Sequence, residues 1–240
     1  MSAADRTLWL SLADAPAVDL GATVLLYVLA IKLQRRFGGS PVLNPTMVAV
    51  LFVVAGLELT GASYESYQRG VAFLPFMLGP AVALLAVPLF RQTALIRASG
   101  PMIIAALSAG LPCGILSAVG AAWLFGAHRE TLVSIAPKSV TTGIAIGVSQ
   151  AVGGVPALTA TFVILTGIVG AVGGPAAARL VGVRDERALG LAMGIGSHGI
   201  GTARALRISE IAGAFSGLGM SLNGVLTAVL LPAAMTLLHP

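Results

Sequence analysis

The chain has 240 residues, of which 57% are hydrophobic and only 10% charged, and its mean hydropathy is +0.95. A soluble domain carries about a quarter charged residues, so an ordinary soluble fold is excluded. The net charge of +5 comes from basic residues in short loops between apolar runs, which points to membrane topology and not to nucleic acid.

In chain order, eight apolar segments are predicted near 18–34, 42–57, 71–90, 98–126, 132–150, 156–178, 188–207 and 211–238. No Asp, Glu, Lys or Arg occurs in 71–90, 98–127, 139–178 or 211–238. A membrane span needs about 20 apolar residues, so several of these runs are long enough to cross and the longest is two spans long. The fold class that follows is an all-α polytopic membrane bundle, one domain over residues 1–240. Ahead of the first segment, Asp5, Asp14 and Asp19 face only Arg6. That is the wrong balance for a cleaved signal peptide, so the spans themselves are expected to target the chain. Trp9 and Trp123 suit interfacial positions. Cys113 is the only cysteine, which excludes an intrachain disulfide and a cysteine-rich metal site.

Three loops are basic: Lys32, Arg35 and Arg36; Arg91 and Arg97; Arg179, Arg184 and Arg187. Each prefers the cytoplasm. Two segments separate the first loop from the second, which keeps them on one face. Three separate the second from the third, so either one of those three is broken or re-entrant, the favoured reading, or the last loop violates the rule. Gly and Pro interrupt several segments, at Asn44-Pro45, Gly79-Pro80, Pro112 with Gly114, Pro137, and Gly196 to Gly201. Non-helical backbone at membrane depth is tolerated only where it lines a cavity or is buried in protein. Paired breaks in two halves point to a transporter site. The pairing on offer sets 43–45 against 136–138 and Gly79-Pro80 against 197–199, as an inverted repeat.

Two clusters can carry chemistry. The first is Pro137-Lys138-Ser139-Val140-Thr141-Thr142. Proline suits the first turn of a helix, and the exposed N–H groups of a helix N-terminus attract anions. Lys138 adds a charge, and Ser139, Thr141 and Thr142 add hydroxyls. The competing reading makes Lys138 a loop charge at the edge of a span. The second cluster is Ser197-His198-Gly199-Ile200-Gly201-Thr202-Ala203-Arg204. On a helix His198 and Thr202 share one face, and Ser197, Gly201 and Arg204 line the next. Ionisable groups inside an apolar segment usually face a pathway; His198 can titrate near neutral pH and Arg204 can hold a carboxylate. Against this stand close helix packing at the glycines and an Arg204 that snorkels to the interface. Asn44 and Thr46 either supply polar groups at a break or cap a helix, and Glu58 and Glu210 read as boundary residues. No phosphate-binding loop, nucleophile elbow or zinc motif is present, so neither ATP-driven transport nor an enzyme is expected.

With 153–158 (Gly-Gly-Val-Pro-Ala-Leu), these two clusters resemble the LrgB family. Asn44-Pro45, Pro80, 86–89 (Ala-Val-Pro-Leu) and 213–216 (Gly-Ala-Phe-Ser) fit its pattern too, so the resemblance runs from about residue 18 to 238. Gly143 departs from the family's usual proline, which should loosen the following helix, and Gln150 replaces a frequent glutamate. The resemblance implies a multi-pass protein of the bacterial inner membrane with one of two functions. One is a carrier of small monocarboxylates such as glycolate, glycerate and pyruvate, working by alternating access. The other is a holin/antiholin-like modulator of murein hydrolase export and autolysis. Buried Lys, His and Arg beside broken helices favour the carrier. Its substrate-binding set is then Asn44, Thr46, Lys138, Ser139, Thr141, Thr142, Ser197, His198, Gly199, Gly201, Thr202 and Arg204, with helix breaks at Pro45, Gly79, Pro80 and Pro137. No metal site or cofactor is expected beyond a coupling ion, H+ or Na+. The expected partners are a small carboxylate, the lipid bilayer, an LrgA-type small membrane protein and further copies of the chain.

Overall fold

The computed structural model describes residues 16–38 and 43–238; the expectations on Asp5, Arg6, Trp9, Asp14, Gly39 and His239 lie outside them. The described residues form twelve helices and divide into two compact units, 1–84 and 85–240. Four helices are long and apolar enough to cross a membrane: Ala17–Arg36, Gly100–Leu124, Pro156–Leu180 and Glu210–Leu237. Large apolar side chains stay exposed along them, Val169 at 69% and Leu116 at 68% for instance. In water that surface would be a liability; against lipid tails it is the ordinary state. The fold is a helical membrane bundle.

The N-terminal unit holds α1 (Pro16–Arg36), α2 (Pro45–Thr60), α3 (Tyr64–Gly70) and α4 (Phe73–Leu84). Its small core joins Ala30 to Val48 and Ala49. Asn44 caps α2: its side-chain oxygen accepts from the N–H groups of Thr46 (2.9 Å) and Met47 (3.5 Å), and Pro45 takes a first-turn position. The expected break at Gly79-Pro80 is corrected. Helix α4 runs through both residues and stops at Leu84, four residues before Pro88. A proline ring clashes with the carbonyl four residues before it, and at 88 the ring falls in the first turn of the next helix, where no N–H is needed.

The C-terminal unit opens with two short helices, α5 (Ala86–Arg91) and α6 (Thr93–Ala98). Three long helices follow: α7 (Gly100–Leu124), α10 (Pro156–Leu180) and α12 (Glu210–Leu238). Between α7 and α10 lie α8 (Arg129–Ile135) and α9 (Thr142–Ala151), and between α10 and α12 lies α11 (Glu186–Leu206). Neither intervening segment crosses straight. Ser134, near the end of α8, accepts from the N–H of Val155, just past α9, at 2.8 Å. A chain that kept going could not return to itself so closely, because α9 alone is about 15 Å long. Residues 129–155 are a hairpin with its tip at 136–141.

Helix α11 also doubles back. His198 has φ 42 and ψ −136, and the two halves of the helix meet there. Glu186 at its start accepts from the hydroxyl of Ser209, beyond its end, at 2.8 Å. A Cβ at Gly201 would come within 2.6 Å of the Met193 carbonyl oxygen, so one limb lies on the other. Both limbs run along one stretch of α12: Gly190 meets Ala212, Gly194 meets Ser216, Thr202 returns to Ser216, and Leu206 returns to Gly213. The reading of 188–207 as one helix with His198 and Thr202 on a common face is therefore corrected.

The hairpins come in from opposite ends. The second packs on the first half of α12, while Ala136 and Val148 of the first pack with Leu231 in its second half. On α7 the division is the same: Ile103 and Leu107 join Leu191 and Ile195, and Ile115 and Val119 join Ala136 and Val148. The result is two helix–hairpin pairs in opposite directions, 100–151 and 156–206, each opening with a helix of 25 residues. This replaces the pairing expected from 43–45 and Gly79-Pro80. It also settles the charge parity: Arg187 donates to Ser99 at 3.2 Å, so the loop after α10 sits at the same end as the loop before α7.

Candidate functional site

The two tips meet at mid-height on all three long helices. On α10, Val163 packs with Val140 and Ala145 of the first hairpin, and its carbonyl accepts from His198 Nε2 of the second at 3.0 Å. On α7, Gly110 faces Ile195 and Gly114 faces the Ser139 hydroxyl. On α12, Asn223 Nδ2 donates to the carbonyls of Ser139 (3.4 Å) and Ile195 (3.1 Å), one from each hairpin. Two breaks free backbone acceptors at the same depth, where an unsatisfied group costs several kcal/mol. One carboxamide serves both.

At the first tip, Pro137 is fully buried within the turn, and helix α9 begins at Thr142. This corrects the expectation that Pro137 opens the helix. Lys138 and Ser139 lie in the turn, Thr141 is the N-cap residue and Thr142 the first helical residue. The first helical bond runs from Ala145 N to Thr141 O at 2.9 Å, so the N–H groups of Thr142, Gly143 and Ile144 precede the ladder. Gly143 has open space around it, and α9 still starts one residue ahead of it. Lys138 is partly buried and donates to the Ser139 hydroxyl at 3.0 Å. Among the described residues no carboxylate pairs with it. The tip thus brings together a cation, a helix N-terminus and three hydroxyls, groups whose chemistry suits an anion.

The second tip is closed. Ser197, His198 and Thr202 are buried. His198 occupies backbone space that costs a non-glycine residue about 1–3 kcal/mol, held by its bond to Val163 and by Thr202, whose hydroxyl donates to the His198 carbonyl at 2.9 Å and accepts from Ser216. Gly167 makes room, since a Cβ there would lie 2.8 Å from the imidazole. Gly201 is required by the Met193 contact, while a Cβ at Gly199 would meet Met220 Sδ only at an ordinary 3.9 Å. Arg204 lies six residues beyond the break, partly exposed, with no ion pair among the described residues. Asn44 and Thr46 belong to the N-terminal unit, where Asn44 acts as a cap.

Sequence reasoning passed over Asn223, although it is the only carboxamide between Ala151 and the C-terminus. It also passed over a buried hydroxyl pair at the mouth of the first hairpin, Thr159 to Ser149 at 2.7 Å, beside Ser134. The larger clefts lie in the N-terminal unit: those of about 240 and 430 Å³ are walled mainly by apolar side chains, and one of about 330 Å³ takes in Glu58.

Opposed hairpins with polar tips, set among long apolar helices, define a membrane protein with a buried polar centre. The chain belongs to the LrgB-like family, whose model matches residues 23–237. Among its relatives, uncharacterized protein YxaC of Bacillus subtilis is 36% identical over 217 residues, and holin-like protein CidB is 32% identical in Staphylococcus epidermidis and 33% in Staphylococcus aureus. In each case the match covers 90% of this chain and 94% of the relative. No solved structure matches the chain.

Proposed function

We propose that this protein carries small monocarboxylates across the bacterial plasma membrane, as a multi-pass protein working by alternating access about the two hairpin tips. The observation that carries the reading is Lys138, a partly buried cation without a carboxylate partner among the described residues, four residues ahead of α9, whose leading N–H groups precede its hydrogen-bond ladder. The carboxylate takes Lys138 and those N–H groups, with Ser139, Thr141 and Thr142 at its edges. His198 and Thr202 hold the opposing tip in place. The end carrying Arg91, Arg97, Arg179, Arg184, Arg187 and Arg207 faces the cytoplasm, because basic loops are retained there.

The relatives' names favour a second reading more directly than they favour transport: two of those compared are holin-like proteins, which supports a role in a holin-like assembly. The two readings part in proteoliposomes holding this chain alone. A carrier gives saturable uptake of labelled glycolate, glycerate or pyruvate, cut about ten- to a hundredfold by Lys138→Ala and changed less than about threefold by Arg204→Ala, since an exposed charge contributes little. A holin-like role gives release of trapped dye without selectivity among acids, and that result overturns the carrier.

A further inference from the structure

Asn223 is 2% exposed, and its Nδ2 lies between two carbonyls that can only accept. That fixes which way the carboxamide faces, because the flipped amide would set oxygen against two oxygens. Its other atom, Oδ1, receives no hydrogen bond from any described protein group. Asn223 lines a void of about 10 Å³, walled by Gly110, Pro137, Ser139, Ile195 and Thr227 among others, which has room for one hydroxyl group or one water. A buried acceptor left unpaired is costly, so the site calls for a donor. A cation is a poor candidate, since Lys138 follows Pro137 directly and bonds the Ser139 hydroxyl.

We propose that Asn223 Oδ1 is a specificity-determining acceptor for the hydroxyl group of a transported 2-hydroxy acid. This rests on the carrier reading. The carboxylate lies at Lys138 and the α9 N-terminus; the hydroxyl, one carbon away, reaches past Ser139 into the void and donates to Asn223. A 2-keto acid of the same skeleton offers no donor there, and an unsubstituted acid offers nothing. Because the same carboxamide ties the two tips together, a hydroxy acid is sensed where the hairpins touch.

The test compares saturable uptake of labelled lactate, pyruvate and propionate by proteoliposomes of the full chain. The expected result is a lactate preference of about tenfold or more in uptake efficiency over both others, because a site built to bond a substrate hydroxyl rejects analogues lacking it. Asn223→Leu is expected to bring the lactate-to-pyruvate ratio to about one while uptake persists at a lower rate. If that variant does not fold, judged by size exclusion and circular dichroism, the wild-type ratio decides alone. Equal handling of lactate and pyruvate by the wild type means that solvent water meets Oδ1, and it overturns this inference with the carrier intact. An unchanged ratio in folded Asn223→Leu does the same. Absence of saturable uptake of any acid, with dye release, overturns the carrier reading and this inference with it.

Discussion

The tip at 136–141 leaves Lys138, Ser139, Thr141 and Thr142 partly exposed, whereas the tip at His198 buries Ser197, His198 and Thr202 and bonds the last two to their neighbours. The difference follows from how each reversal is made. The first spreads over six residues around a proline and ends in a fresh helix N-terminus, so donors are left over. The second is made at one residue with φ 42, with glycine required at 201 against the other limb and at 190 and 194 against α12. Its His198 imidazole and Thr202 hydroxyl are engaged in holding the bend. The open tip keeps donors in reserve, as the carrier proposal requires, and the closed one holds a shape.

That contrast breaks most readily at Gly194. A Cβ there would fall 2.1 Å from the Ser216 carbonyl oxygen, backbone that cannot move aside. Gly194→Ala in the closed hairpin is expected to destabilise by about 3 kcal/mol. Gly147→Ala in the open one, where nothing lies within 4 Å, is expected to stabilise by about 0.5–1 kcal/mol through helix propensity. Thermal unfolding in detergent reads both, and equal effects would erase the distinction.

The mouths of the hairpins sharpen it further. Ser134 is buried and accepts from Val155 N at 2.8 Å, so Ser134→Ala leaves a buried N–H unpaired and is expected to cost about 1–2 kcal/mol in the same assay. The smallest effect belongs to Asp185, which caps α11 at the exposed mouth of the second hairpin. Its hydrogen bonds with Arg187 hold the carboxyl at about 2, below its ordinary 3.8. A depressed pKa means that the ionised form supports the fold. The contribution is complete above pH ~4 and lost as pH falls from 4 to 2. Solvent screening limits it to a few tenths of a kcal/mol. Asp185→Ala is expected to flatten stability against pH in that window and leave pH 6–8 without slope; a slope between 6 and 8 that disappears in this variant would contradict the assignment.

Much of this architecture was legible in the chain. The uncharged runs 98–127, 139–178 and 211–238 each held a long helix, because a bilayer demands about 20 apolar residues whatever the rest of the fold does, while 71–90 is divided between α4 and α5. The odd number of segments between two basic loops favoured one that turns back, and Pro137-Lys138 marked which. Gly79-Pro80 misled, because a proline inside a helix acts through the carbonyl four residues before it, and at Pro80 the helix closes over the gap while Pro88 ends it.

Composition and charge order by themselves determined that this is a membrane bundle, and marked Lys138 and His198 as ionisable groups within apolar segments. They could do so because burying charge in hydrocarbon is costly enough to leave its mark residue by residue. Only the tertiary structure decided that α11 doubles back, that the hairpins come from opposite ends, and that Asn223 joins their tips. Those facts depend on contacts between distant residues, Ser139 and Asn223 being 84 positions apart, and a pattern read along one chain carries no record of which distant backbone carbonyl a side chain will meet.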